Sequence, residues 1–408
     1  MESVAAKRPK MSDEIKETTQ ISSETKTKVK FDNTNSTFKY HHSRIDYIDK
    51  TMLIKELFGI AHVLITAPSR FGKTLNMDMV RRFVEIEIDE KGKQIELQRH
   101  EKGYLKDDQP KSKNFQYFKG KKIFGEKQFT SEHFGQYPAI YVDFRDVKGV
   151  TFEQILSKLR SAINAAFMAH NYLIDSSLWA DLKWDKEIFM IYYDKQKSKL
   201  LTQDEVEEGL QILSKCLYYH HKKPVYVFID EFDVPINTMV YENIMTLADR
   251  NLTIKLLQSV VGNVLKGSSE FVAKSLSNGC QQLAGILSHD ANNVAHYPFI
   301  RGHQFCEFYG FLEDEVNELF KKLDKTECMD DIRKHYNGYC TKLKKTGLSG
   351  GRETISVYDS ERAIAALPIK SLNGREYLKK VIPWRTGTPS KRLVQITAPP
   401  ELESYMQL

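Results

Sequence analysis

The chain has 408 residues, 41% hydrophobic and 28% charged, a size and mixture that allow a sizeable core and two to three domains. Its five cysteines include no Cys-x-x-Cys pair, no run approaches the ~20 apolar residues of a bilayer-spanning helix, and no apolar h-region follows Met1. These features argue against a disulfide framework, membrane integration and secretion, and for the cytoplasm or nucleus. The net charge of +6, from 60 basic and 54 acidic residues, permits an anionic partner such as nucleic acid without demanding one.

Residues 1–37 carry scattered aliphatics and no period of 2 or 3.6, so a disordered tail is expected there. Within it Lys7, Arg8 and Lys10 form a short basic cluster, open to reading as a nuclear localisation signal or as a solvated charge run. Folded sequence is expected from Phe38, with a helix over 48–60 and a buried strand at His62–Thr66. A glycine-lysine loop and a helix over 75–86 follow. Residues 89–135 are polar and lysine-rich and read as a surface insertion ordered around Phe115, Phe118, Ile123 and Phe124.

A second buried strand is predicted over 139–144, an amphipathic helix over 152–167, and a further helix over 206–218. The third strand is Val225–Asp230, after Pro224. Helices at 241–249 and 252–266 precede a fourth strand at 282–287. Strands alternating with helices give the α/β class: a P-loop NTPase core with a parallel sheet and flanking helices over 38–310. A small, mostly helical region (311–340, with helices over 313–323 and 329–336) and a poorly patterned segment (341–408) complete the expected organisation.

Ala67-Pro68-Ser69-Arg70-Phe71-Gly72-Lys73-Thr74 lies between the first strand and its helix. The phosphate-binding loop pattern is Gly-x4-Gly-Lys-Ser/Thr, here with Ala67 in the first glycine's place. In this reading Ser69 to Leu75, including Arg70 and Phe71, cradle a nucleotide. Gly72 lets backbone N–H groups approach phosphate, and the helix N-terminus adds its partial positive charge. Lys73 meets the β/γ-phosphates, and the Thr74 hydroxyl holds Mg²⁺. The tripeptide alone is weak, since roughly one chain of this length in five carries it by chance. The third strand strengthens it by ending in Asp230-Glu231. Two carboxylates at the end of a buried strand are costly unless they meet a cation. Asp230 then holds Mg²⁺, and Glu231 polarises the attacking water.

Six stretches, in order, resemble the AAA-ATPase-like family, P-loop proteins often found with a restriction-type nuclease domain. They are Tyr47-Ile48-Asp49-Lys50-Thr51; Pro68 through Asn76; Tyr137-Pro138-Ala139-Ile140 with Asp143-Phe144; Ile229 through Ile236; Phe308-Tyr309-Gly310-Phe311 with Glu315-Val316; and Tyr336-Asn337-Gly338-Tyr339. The resemblance spans about residues 40–340 and implies ATP and Mg²⁺ as ligands; a non-glycine residue at position 67 is the family's habit. Against it, the polar residue that senses γ-phosphate at the tip of the fourth strand is replaced by Ala284, and the following arginine by Ser288. No strand ending in Asp with a following Glu-x-Lys is found after Tyr339, so no nuclease is expected.

Smaller signals carry paired readings. Arg70 touches phosphate or pairs with a carboxylate; Arg301 is an arginine finger or an ordinary ion pair. Asp49-Lys50 borders the adenine or caps a helix start, and Asn337-Gly338 is a turn. His303, Cys306, Cys328, His335 and Cys340 lack zinc spacing, and His41-His42 and His220-His221 are expected to be solvated. The function read from the chain is Mg²⁺-dependent ATP hydrolysis driving a conformational switch or work on a macromolecular partner. A non-hydrolysing nucleotide-binding scaffold and a nucleic-acid-associated module that has lost its nuclease stay open.

Overall fold

The computed structural model describes residues 37–44, 46–181, 186–237, 245–265, 270–280, 293–322, 339–344 and 352–358. The tail with Lys7, Arg8 and Lys10, the strand expected at 282–287 with Ala284 and Ser288, the helix over 329–336 and the Asn337-Gly338 turn lie outside these residues.

Five strands, β1 (His62–Thr66), β2 (Ala139–Asp143), β3 (Val225–Asp230), β4 (Val272–Gly279) and β5 (Val294–Pro298), form one sheet. Every pairing in it is parallel and the order is β2-β3-β4-β1-β5. The helices are α1 (Phe38–His41), α2 (Leu53–Leu57), α3 (Lys73–Val84), α4 (Lys113–Phe118), α5 (Lys127–His133), α6 (Phe152–Ala169), α7 (Leu178–Asp181) and α8 (Lys186–Tyr193). They continue with α9 (Gln203–His221), α10 (Leu247–Leu265) and α11 (Glu313–Lys322). The single helix α10 occupies most of the stretch expected to hold two. Ahead of β1, turns replace most of the helix expected over 48–60, because the Asp49 carboxylate takes the Thr51 N–H at 2.9 Å and the Lys122 N–H at 2.8 Å.

Strand periodicity builds two cores. Val225, Val227 and Ile229 of β3 face a layer formed with α6, α9 and α10. Tyr226 and Phe228 face the other layer, with α3, α2 and the aromatics of residues 89–135. Phe115, Phe118, Phe124 and Phe134 pack against one another, and Phe118 and Phe134 meet Phe83 of α3 edge-on, so this polar stretch is held by its own aromatic cluster. Local signals set the helix ends. Thr151 caps α6 by accepting the Gln154 N–H, and Thr202 with Glu205 forms a capping box on α9.

The place between β3 and β1 belongs to Val272–Gly279, a strand not expected from the sequence, upstream of the stretch 282–287 that lies outside the described residues. This strand lacks a continuous apolar run. Its Ser275 and Ser277 are buried, and Ser275 Oγ meets His62 Nδ1 at 3.0 Å. Beyond β5, β6 (Phe311–Leu312), β7 (Tyr339–Lys344) and β8 (Arg352–Tyr358) make a three-stranded antiparallel sheet, order β6-β8-β7, beside α11. Two of these strands come from stretches whose sequence shows no clear pattern.

Candidate functional site

The carboxyl end of the parallel sheet gathers the chain's chemistry, the place where open α/β sheets bind ligands. β1 passes through Ala67 into the loop that starts α3. The Ala67 N–H donates to the Gly279 carbonyl at 3.1 Å, which ties the loop to the end of β4. Gly72 caps α3 with φ +77°, and a Cβ there would meet no atom within 4 Å. Conformation rather than crowding therefore calls for glycine, and the space beside it is open. Arg70 takes a left-handed φ of 71° as well, a strained choice for a non-glycine residue that orients the loop.

Phe71 is buried and lies edge-on to Phe299 with ring centroids 5.3 Å apart. Its carbonyl accepts the Gly310 N–H at 3.0 Å. Its side chain therefore anchors the loop rather than facing a ligand. Ser69 and Arg70 are exposed, and Thr74 and Leu75 half-buried. Lys73 is buried, and its Nζ donates to the Ala67 carbonyl at 3.1 Å, the Pro68 carbonyl at 3.0 Å and Cys280 Sγ at 3.1 Å.

The acidic side stands opposite. Asp230 has no exposed surface; its Oδ2 accepts the Tyr141 hydroxyl at 3.2 Å and its Oδ1 the Glu231 N–H at 3.0 Å. Burial pushes the Asp230 pKa up, the nearby Thr74 side chain opposes this, and repulsion from Asp143 adds to it. Asp143 is the register partner of Asp230 at the end of β2, and Arg145 approaches it at 3.7 Å. Burial likewise raises Glu231, the Lys73 ammonium opposes it, and Asp230 and Asp233 reinforce it. Glu231 has φ 52°, so the chain turns sharply where β3 ends.

β4 supplies what sequence reading missed. Asn278 is buried at its tip; its Oδ1 accepts the Glu231 N–H at 3.3 Å and its Nδ2 points to Met77 Sδ at 3.9 Å. A polar residue therefore stands at the tip of the strand between β1 and β3. Next to it, a Cβ on Gly279 would fall 2.5 Å from Asp233 Oδ1 and 2.6 Å from Phe232 Cε1. Asp233 Oδ2 in turn accepts the Cys280 N–H at 3.0 Å and Asn237 Nδ2 at 2.8 Å, which locks the ends of β3 and β4 together. The signal available in the sequence was a Ser-x-Ser-Asn-Gly run after the helix 247–265.

A family model described as a predicted AAA-ATPase matches residues 36–284, more than half of the chain, including the loop and the first four strands. The chain belongs to this AAA-ATPase-like family. No curated protein and no solved structure matches the chain.

The remaining candidates of this AAA-ATPase-like chain have structural roles or stand apart. Lys50 Nζ is sealed by Glu315 and the Glu307 carbonyl, each at 2.6 Å, and Asp49 holds Thr51 and Lys122, so both have structural partners. Arg301 is exposed on the short helical turn after β5. His303 and Cys306 serve a local turn: Cys306 Sγ accepts the His303 N–H at 3.3 Å, and His303 Nδ1 the Phe305 N–H at 3.1 Å. The expectation of solvated His220 and His221 is corrected: both are half-buried and hydrogen-bonded, to Ser176 and Tyr172. Among the described residues no group of three or more His, Cys, Asp or Glu is arranged to hold a metal ion, and no helix is long and apolar enough to cross a membrane.

Proposed function

We propose that this protein binds ATP with Mg²⁺ in the 67–74 loop and hydrolyses it. The observation that carries the reading is the glycine-lysine turn at the start of α3, with buried Lys73, placed at the same sheet end as the buried Asp230 that closes β3. A hydroxyl and a buried carboxylate are what Mg²⁺ takes from a protein that leaves its other positions to water and phosphate. They fit the ion although no closed cage exists. When bound, Mg²⁺ neutralises charge on the β- and γ-phosphate oxygens.

The chain's own residues divide the remaining work. Gly72 and the N–H groups of Ser69 to Leu75 receive phosphate oxygens at the start of α3. The Lys73 ammonium exchanges the Ala67 and Pro68 carbonyls for phosphate, an exchange of neutral for charged acceptors that strengthens each bond. Glu231 accepts a proton from the attacking water. Asn278 fixes the Glu231 backbone through its N–H and supplies the polar side chain at the tip of β4. Asn278 favours hydrolysis, whereas Ala284 and Ser288 favour a non-hydrolysing scaffold. The energy released drives a conformational switch or work on a partner.

Phosphate release from the purified full chain, with and without Mg²⁺, tests the reading together with two variants. Lys73→Ala is expected to lose ATP affinity. Glu231→Gln is expected to keep affinity and lose turnover by roughly 10²–10⁴-fold, as for removal of a general base. Equal ATP affinity in wild type and Lys73→Ala would sink the nucleotide site. Intact binding with no Mg²⁺-dependent release would leave the scaffold reading.

A further inference from the structure

Residues 89–135 hold a second concave site, apart from the sheet end. It is a cavity of about 680 Å³, within the range of ligand pockets. Arg99, Lys102, Lys106 and Lys127 line it, and so does His100; Glu101 and Asp107 stand against them. Its floor is different: Leu105 is half-buried, Phe115 buried and Phe124 half-buried. Tyr104 lies at the wall with 43% of its surface exposed.

The wall is a fixed hairpin rather than a loose loop. Arg99 and Leu105 form an antiparallel bridge, the His100 N–H donates to the Tyr104 carbonyl at 2.8 Å, and Gly103 turns the chain at φ 85°. Arg99 Nη1 is held by the Ser131 carbonyl at 2.7 Å and the Gly103 carbonyl at 2.9 Å. Leu105 N–H donates to Ser131 Oγ at 3.1 Å, and Gln109 clamps Gln98 through both its main-chain groups. Lys102 and Tyr104 therefore project from a rigid turn, which limits the entropy lost on binding.

A cationic wall with an exposed ring and an apolar floor suits a ligand that alternates anionic and flat apolar groups. We propose that this hairpin site binds single-stranded nucleic acid, with phosphates on Lys102, Lys106 and Lys127 and an unstacked base on Tyr104. A duplex keeps its base faces stacked and cannot use the ring, and a membrane surface has no flat groups to offer it. The site is independent of the ATP reading, since it shares no residue with the 67–74 loop.

Fluorescence anisotropy of the full chain with a short labelled oligonucleotide of mixed sequence tests this, with ATP in excess. Single strands are expected to bind more tightly than the same sequence as duplex, and affinity to fall with salt. Lys102→Glu with Lys106→Glu should weaken binding at least tenfold. Replacing both with Gln should lower the log–log salt slope by about 1.4, at ~0.7 per phosphate contact. Tyr104→Ala should cost roughly five- to a hundredfold, as for loss of one stacked base. Lys158→Glu, exposed on α6, is the charge control, and an unchanged thermal denaturation midpoint is the folding control. Three results would overturn the proposal: equal affinity for duplex, wild-type binding by the Lys102/Lys106 variants, or equal loss in the control. Displacement by inorganic polyphosphate at equal concentration would overturn it too, and would mark a small-anion site.

Discussion

Asn278 and Gly279 do different work one residue apart, and substitutions separate them. Asn278→Ala removes the amide at the tip of β4 while leaving Lys73 and Gly72 intact, so ATP affinity should hold within a few-fold while turnover falls at least tenfold. Equal losses in both, measured by binding and phosphate release, would make Asn278 a support for the Glu231 backbone only. Gly279→Ala puts a methyl against Asp233 and Phe232 at 2.5 and 2.6 Å. Both side chains are buried, and Asp233 is pinned by Cys280 and Asn237, so neither yields cheaply. Overpacking of this kind costs about 1–3 kcal/mol, to be read as a lowered denaturation midpoint. At this scale the loop and the Asp230-Glu231 pair were legible because each depends on residue types in fixed order. Asn278, Asp143 and Tyr141 were not, because their value comes from the register of neighbouring strands.

Among the elements, β1 and β3 coincide with the strands read from continuous apolar runs, and α6 with its amphipathic period. β4 escaped because a central strand can be partly polar when its serines find partners, as Ser275 does with His62. The C-terminal end of α9 escaped for a related reason. A His-His pair reads as solvated, yet here Tyr172 OH links His221 Nε2 at 3.0 Å and His170 Nδ1 at 3.2 Å, and His170 also meets the Ala139 main chain. Burial lowers His170 to about 4 and His221 to about 3, with Arg81, His220 and Lys223 adding repulsion around them. The unfolded rings titrate near 6.5. Below that value the unfolded state therefore binds more protons than the folded one. The stability these rings contribute is complete above 6.5 and is lost progressively as pH falls toward the folded values. Denaturation midpoints should thus drop between neutral pH and about pH 5. His221→Gln, which cannot titrate, should show a shallower drop than wild type; an identical slope would show that other groups govern the acid response.

Over the whole molecule, the order β2-β3-β4-β1-β5 brings the loop after β1, the acidic end of β3 and the tip of β4 to one edge of the sheet. Sequence order shows that such an edge can form, but the distant contacts that brace it come only from the fold. Two of them join the region after β5 to the region around β1: Gly310 N–H to the Phe71 carbonyl, and Lys50 to Glu315 at 2.6 Å. Lys50 is 9% exposed at its side chain and Glu315 21%, so the pair is largely withdrawn from water. Glu315 also accepts the Leu312 N–H at 2.8 Å, which ties the start of α11 to the same cation. Glu315→Leu leaves a buried ammonium without its counter-charge. The expected cost is about 2–3 kcal/mol, below the ~3–5 of a fully buried pair because Glu315 is partly open. Lys50→Met should cost less, since the remaining carboxylate can reach water. The double variant Lys50→Met with Glu315→Leu removes both charges and keeps the volume, so it should recover most of the loss. Denaturant titrations of the four chains give the coupling directly. Additive losses in the double variant would show that the two side chains act separately, and that the clamp on α11 lies elsewhere.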